Sequence, residues 1–191
     1  MSKYFEVRWH GRGGQGTVTG AKSLAEAVQG TGKFVCAFPD YGPERRGAPV
    51  RAYDRFSDVR IRIHTPVLEP DAVLVVDPTL IGAPMLVEGI SPKTIFIVNT
   101  EKSCQATKEA LGIPEHRLYT VPANTISHGL FKREIPNSAM MGAFAKACPE
   151  VISVDMLVQE ARAIFSHALG DDLVEKNLEA IKRGYDEANN V

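Results

Sequence analysis

Two stretches limit the fold before anything else: Ala72 to Val76 (AVLVV) and Thr94 to Val98 (TIFIV). Short apolar runs without a polar break are strands buried on both faces, as the inner strands of a parallel sheet are. Leu118 to Val121 is a shorter third member. Between them lie Thr79 to Glu88 and Lys102 to Leu111, each long enough for a crossover helix. This β-α-β-α-β alternation predicts a parallel α/β core. A chain of 191 residues, 44% hydrophobic and 24% charged, is enough for one domain with a full core.

The flanks extend the pattern. Val18, Ala21, Leu24, Ala25 and Val28 recur at helical spacing, so Thr17 to Gln29 is expected to be a helix with one buried stripe, ended by Gly30 and Gly32. Phe34 to Phe38 reads as a short strand stopped by Pro39. Val50 to Phe56 and Val59 to Ile63 alternate apolar and charged residues around Ser57-Asp58, the pattern of an antiparallel hairpin with one solvated face. The last third is helical: Ser138 to Ala147, Val154 to Phe165, and Leu173 to Ala188, with Leu173, Val174, Leu178, Ile181 and Tyr185 on one stripe.

Composition narrows the chemistry. A net charge of −1 gives no sign of a nucleic-acid or anionic-membrane partner. Three separated cysteines form neither a disulfide framework nor a C-x-x-C pair, so no metal or cluster is expected on this chain. No signal pattern and no membrane-length apolar run occur, and a cytoplasmic location is expected.

The candidate site begins where a strand, Tyr4 to Trp9, runs into Gly11-Arg12-Gly13-Gly14-Gln15-Gly16. Strand, glycine turn and helix together aim backbone N–H groups and the positive end of a helix dipole at one point, which suits a phosphate or carboxylate. The letters also fit G-x-G-x-x-G, the dinucleotide fingerprint, so a stand-alone NAD(P)-binding dehydrogenase domain is the alternative. Three features weigh against it, the first being that Arg12 sits inside the glycine run and would project over any anion bound there. Glu6, Arg8 and His10 alternate through a strand that in a dinucleotide fold is central and apolar, and the candidate ribose ligand, Asp40, follows Pro39 in a predicted loop. A third reading is that the glycines serve only tight strand–helix packing.

Phe38 to Pro49 holds Asp40, Tyr41, Glu44, Arg45 and Arg46 among prolines 39, 43 and 49. The prolines restrict the unbound loop, and adjacent arginines suit bidentate contact with phosphate or carboxylate; a solvent loop with weak Glu–Arg pairing is the plainer alternative. In Pro136 to Gly142, Asn137 reads as a helix N-cap and more weakly as a ligand contact. His10 abuts the turn; the other histidines show no triad or metal spacing. Gly170-Asp171-Asp172 only faintly echoes a thiamine-diphosphate motif, with wrong spacing and no preceding strand.

Arg8 to Gly16, Ala37 to Pro49, Val98-Asn99-Thr100, Pro136 to Gly142 and Arg183-Gly184-Tyr185 together resemble the gamma subunit of 2-oxoacid:acceptor oxidoreductases, nearly end to end. The chain departs from pyruvate enzymes at Gly14 and Arg46, which leaves pyruvate, phenylglyoxylate, 2-oxoisovalerate and 2-oxoglutarate open as substrates. The resemblance implies one three-layer, Rossmann-like α/β domain over residues 1–191, with a mixed, largely parallel sheet, a hairpin extension and a helical C-terminus. It implies a subunit inactive alone, with no catalytic residue and no metal of its own. Thiamine diphosphate and [4Fe-4S] clusters would sit on alpha, beta and delta-type partners, with ferredoxin or NAD as acceptor. This chain would close the cleft near the thiamine site. Coenzyme A, the co-substrate, would meet Gly11, Arg12, Gly13, Gly14, Gln15, Gly16, Asp40, Tyr41, Glu44, Arg45, Arg46 and Asn137.

Overall fold

The computed structural model describes residues 4–41 and 48–191. Six strands form one mixed sheet: β1 (Phe5–Arg12), β2 (Phe34–Tyr41), β3 (Pro49–Ser57), β4 (Ala72–Val75), β5 (Ile95–Asn99) and β6 (Leu118–Val121), in the order β2-β3-β1-β4-β5-β6. The three apolar runs become β4, β5 and β6, parallel to one another and to β1, with His10 beside Val75 and Val98 beside Thr120. All of β4 and β5 is buried, as strands with helices or turns on both faces must be.

The described residues form six helices, with one gained and one lost against the expected scheme: α1 (Thr17–Gly30), α2 (Cys104–Leu111), α3 (Ala123–Phe131), α4 (Asn137–Ala147), α5 (Val154–Ser166) and α6 (Asp171–Glu187). On one face, α1, α4 and the helices packed behind them close over Val7, Trp9, Leu74 and Ile97, with Phe144 of α4 in the same core. On the other, α2 and two short turns cover Val73, Val75, Phe96 and Val98. Helices α4 and α6 cross almost in backbone contact, since a Cβ on Gly142 would collide with the Ile181 carbonyl. Leu173 is the member of the predicted α6 stripe that faces out, at 44% exposure.

Several expectations are corrected. Residues 79–88 form no helix but two 3-10 turns, Pro78–Leu80 and Pro84–Leu86; Gly82 sits at φ 90° and Pro84 lacks an N–H, which together break any α-run. Helix α3 went unforeseen because Ala123 to Phe131 mixes Asn, Thr, Ser and His with few apolar positions. Strand β2 does not stop at Pro39 but continues to Tyr41, because it is the sheet edge, where a missing N–H costs nothing. The hairpin joins β2 to β3, with Phe34 opposite Ser57 and Tyr41 opposite Val50. Residues 59–63 are not a strand. Nor are the hairpin's charged residues on a solvated face, for Asp54 and Arg55 are buried. Finally, the charged strand β1 is central, antiparallel to β3 on one side and parallel to β4 on the other.

Candidate anion site at the head of α1

The glycine turn lies where the sheet changes direction. From β1 the chain leaves towards the β2–β3 edge, then returns to place β4 on the opposite side of β1. Ligands of open α/β sheets bind at such a switch, outside the carboxyl ends of the strands. Here that crevice is walled by Arg12 from β1 and by Asp77, Pro78 and Thr79 after β4.

The turn is built for exposed backbone donors. Gly14 and Gly16 hold φ of 95° and 77°, a conformation costly for any side chain. Gln15 closes the turn from within: its Oε1 accepts the Arg12 N–H at 2.8 Å, while its own N–H reaches the Arg12 carbonyl at 3.3 Å. Among the described residues no acceptor meets the N–H groups of Gly13, Gly14 or Gly16. Helix α1 then starts with no side-chain cap and no acidic residue in its first turn. Thr17, at that first turn, is buried with its Oγ1 unpartnered against Gly11. Space above Gly13 and Gly14 is open, and a groove of about 860 Å³ runs from there along α1 to Phe165 and Leu169. A helix head left without internal acceptors is a site for an external anion.

Two long-range contacts fix the turn. Arg12 Nε lies 2.9 Å from Asp77 Oδ2 and donates to Thr79 Oγ1 at 3.3 Å; Asp77 itself also caps the following turn through the Thr79 N–H at 2.8 Å. From the other side, Asn137 packs on the turn, its side chain 3.0 Å from where a Gly16 Cβ would stand. Asn137 is therefore not the N-cap expected from the sequence. It is the first residue of α4, Pro136 occupies the cap position, and no side chain caps that helix.

The remaining predicted residues fall elsewhere. Asp40 is in a strand rather than a loop, and its Oδ2 accepts from Arg51 Nη2 at 3.1 Å and from the Tyr53 hydroxyl at 2.9 Å. Strand β3 separates it from β1, so it stands about two strand spacings, roughly 9–10 Å, from the line of the turn. In a dinucleotide fold the acid ends the strand beside β1; Asp40 cannot take that role. Tyr41 is the last residue of β2, while Glu44, Arg45 and Arg46 lie outside the described residues. His10 is wholly buried beneath the turn. Its Nε2 accepts from Arg8 Nε at 3.0 Å, and since a guanidinium only donates, the ring proton sits on Nδ1, which has no acceptor. Burial, reinforced by Arg8 and Arg51, pulls its pKa down to about 3, so the ring is neutral. Arg8 continues the network to the Leu86 and Glu88 carbonyls at 3.3 and 2.7 Å. The sequence signal for this network was the alternation of Glu6, Arg8 and His10, which weighs only against a central strand.

The geometry defines an α/β lobe with a candidate anion site at the head of α1, with no group of three or more metal-ligating side chains among the described residues and no described helix long and apolar enough to cross a membrane. Residues 6–187 match the pyruvate ferredoxin/flavodoxin oxidoreductase family, to which the chain belongs. It is 39% identical over 185 residues to pyruvate synthase subunit PorC of Thermotoga maritima, covering 97% of this chain and 95% of that one. It is 44% identical to the pyruvate/ketoisovalerate oxidoreductases common subunit gamma of Pyrococcus furiosus, covering 95% of each. The crystal structure of the Thermotoga maritima pyruvate oxidoreductase subunit PORC superposes with a TM-score of 0.85 at 36% identity, over 98% of both chains. The chain thus corresponds, end to end, to the gamma-type subunit of that family.

Proposed function

We propose that the chain is the gamma subunit of a hetero-oligomeric 2-oxoacid:ferredoxin oxidoreductase, and that its glycine turn receives a phosphate of coenzyme A while the 2-oxoacid is oxidatively decarboxylated next door. Decarboxylation and electron relay belong to thiamine diphosphate and [4Fe-4S] clusters on partner subunits. This chain binds and orients. The observation that carries the reading is the open head of α1: unmatched N–H groups at Gly13, Gly14 and Gly16, no internal cap, and the buried Thr17 hydroxyl unpartnered beside them. Arg12, held by Asp77, adds a fixed cation at the rim, and the adjoining apolar groove leaves room for the rest of an elongated ligand. Arg45 and Arg46, which follow β2 and precede β3 in the sequence, supply further charge. Pyruvate or a branched 2-oxoacid is the substrate class that the relatives' names support.

The test is Gly13→Asp in the reconstituted complex. The position has space for a side chain, and the carboxylate would compete for the turn's donors. A lost charge-assisted contact is worth about 1.5–3 kcal/mol, roughly tenfold or more in affinity. The KM for coenzyme A should rise by about that factor while the KM for the 2-oxoacid stays put. An unchanged coenzyme A KM, in this variant and in Arg45→Glu/Arg46→Glu, would refute the assignment.

A further inference from the structure

Val59 to Ile63 has the composition of a strand, with β-branched residues at every second place and Arg60 and Arg62 between. The fold gives it no ladder. From residue 59 to residue 69, no backbone group is hydrogen-bonded to another backbone group among the described residues. Among the described residues the run is pinned by side chains: Ser57 Oγ accepts the Val59 N–H at 3.1 Å, Arg55 Nη2 reaches the Pro66 carbonyl at 3.2 Å, and the Cys36 thiol reaches the Ile63 carbonyl at 3.9 Å and lies 3.3 Å from His64 Nδ1. Val59 is 44% exposed and Leu68 75%. Arg60 and Arg62 have no ion-pair partner among the described residues, and the neighbouring Asp58 pairs with Lys33 at 3.1 Å.

We infer that residues 59–63 are a docking strand, paired in the assembled oxidoreductase with an extended segment of another subunit in which β-branched residues alternate with carboxylates. The inference rests on the gamma-subunit reading above. An unpaired strand-forming run with exposed apolar side chains is what an isolated chain avoids and an interface uses. The two arginines set the partner's charge. They also disfavour a second copy of this chain: aligned antiparallel with itself about Ile61, the run places Arg60 opposite Arg62 twice, and like charges directly opposite destabilise a ladder.

Amide hydrogen exchange on the free chain and on the intact complex tests this. In the free chain the amides from Arg60 to Ile63 should exchange as in an open segment. In the complex, alternate amides of this run should slow by about a hundredfold, the periodicity of a ladder rather than of general burial. Arg60→Glu/Arg62→Glu should leave the melting of the free chain unchanged and make the subunit dissociate from the complex on dilution. An intact complex whose 59–63 amides stay unprotected overturns the docking strand and leaves the gamma-subunit reading standing. A chain that joins no thiamine- and cluster-bearing partners overturns both. Protection that grows with the concentration of the free chain identifies a second copy as the occupant and also overturns the inference.

Discussion

The two halves of the sheet are held together by different physics. In the parallel half, β4, β5 and β6 carry aliphatic and aromatic side chains into apolar layers on both faces. In the antiparallel half, β1, β2 and β3 have one face that is apolar except for the buried Asp54 and one face of paired charge. That second face holds Arg8 on carbonyls and His10, Arg55 Nε on Glu6 Oε1 at 2.5 Å with its guanidinium 5.9 Å from the Phe38 ring centre, and Asp40 between Arg51 and Tyr53. Burial of apolar area is indifferent to pH and tolerant of small shifts; buried charge is neither, and must be geometrically complete. The molecule therefore keeps its strength on one side and its polar precision on the side that carries the hairpin.

Mutations should expose that division. The largest effect belongs to the parallel half: Phe96→Ala, at a fully buried position, should cost about 3–5 kcal/mol in urea unfolding, with little dependence on pH. The next is an acid limb set by the antiparallel half. His10 has its folded pKa lowered to about 3 against 6.5 unfolded, so the folded chain binds fewer protons between these values. Its contribution is complete above pH 6.5 and is lost as pH falls towards 3, by about 1.4 kcal/mol per unit. Asp54 acts in the opposite sense. Burial raises its pKa, opposed by the hydrogen bond from Trp9 Nε1 at 2.8 Å; its contribution is present below 3.8 and declines as pH rises through the folded value. Unfolding free energies between pH 3.5 and 7 should thus lose their steep acid limb in His10→Gln and lose the opposing drift in Asp54→Asn. The smallest effect is Tyr53→Phe, which removes the hydroxyl donated to Asp40 and should cost about 1 kcal/mol. A Phe96→Ala loss below 1 kcal/mol, or a pH profile untouched by either titrating substitution, would erase the contrast.

The same division decided what could be read in the chain. Apolar runs have one structural meaning at their length, so β4, β5, β6 and α1 were legible, as was the strand–turn–helix of the site. Alternating charge has two meanings. Arg55 looks like part of a solvated face, and Arg8 and His10 argue against a central strand, until the chain returning through residues 66 and 86–88 supplies carbonyls to cover them. That contact spans up to 80 residues, and no local pattern announces it. Asn137 failed for a related reason. Its letter is that of a cap, yet its place against Gly16 is a tertiary fact about α1 and α4. Residues 59–63 were misread as half of a hairpin because β3 spends both its edges on β1 and β2.

The meeting of Gly16 with Asn137 has a consequence for how the subunit comes into being. The glycine turn is synthesised before Asp77 and Asn137, yet its last wall belongs to residue 137, and its cation is fixed by Asp77. Closing such distant contacts is slow and comes late in folding. A nascent or truncated chain that stops before α4 owns the glycines and lacks the vessel they form.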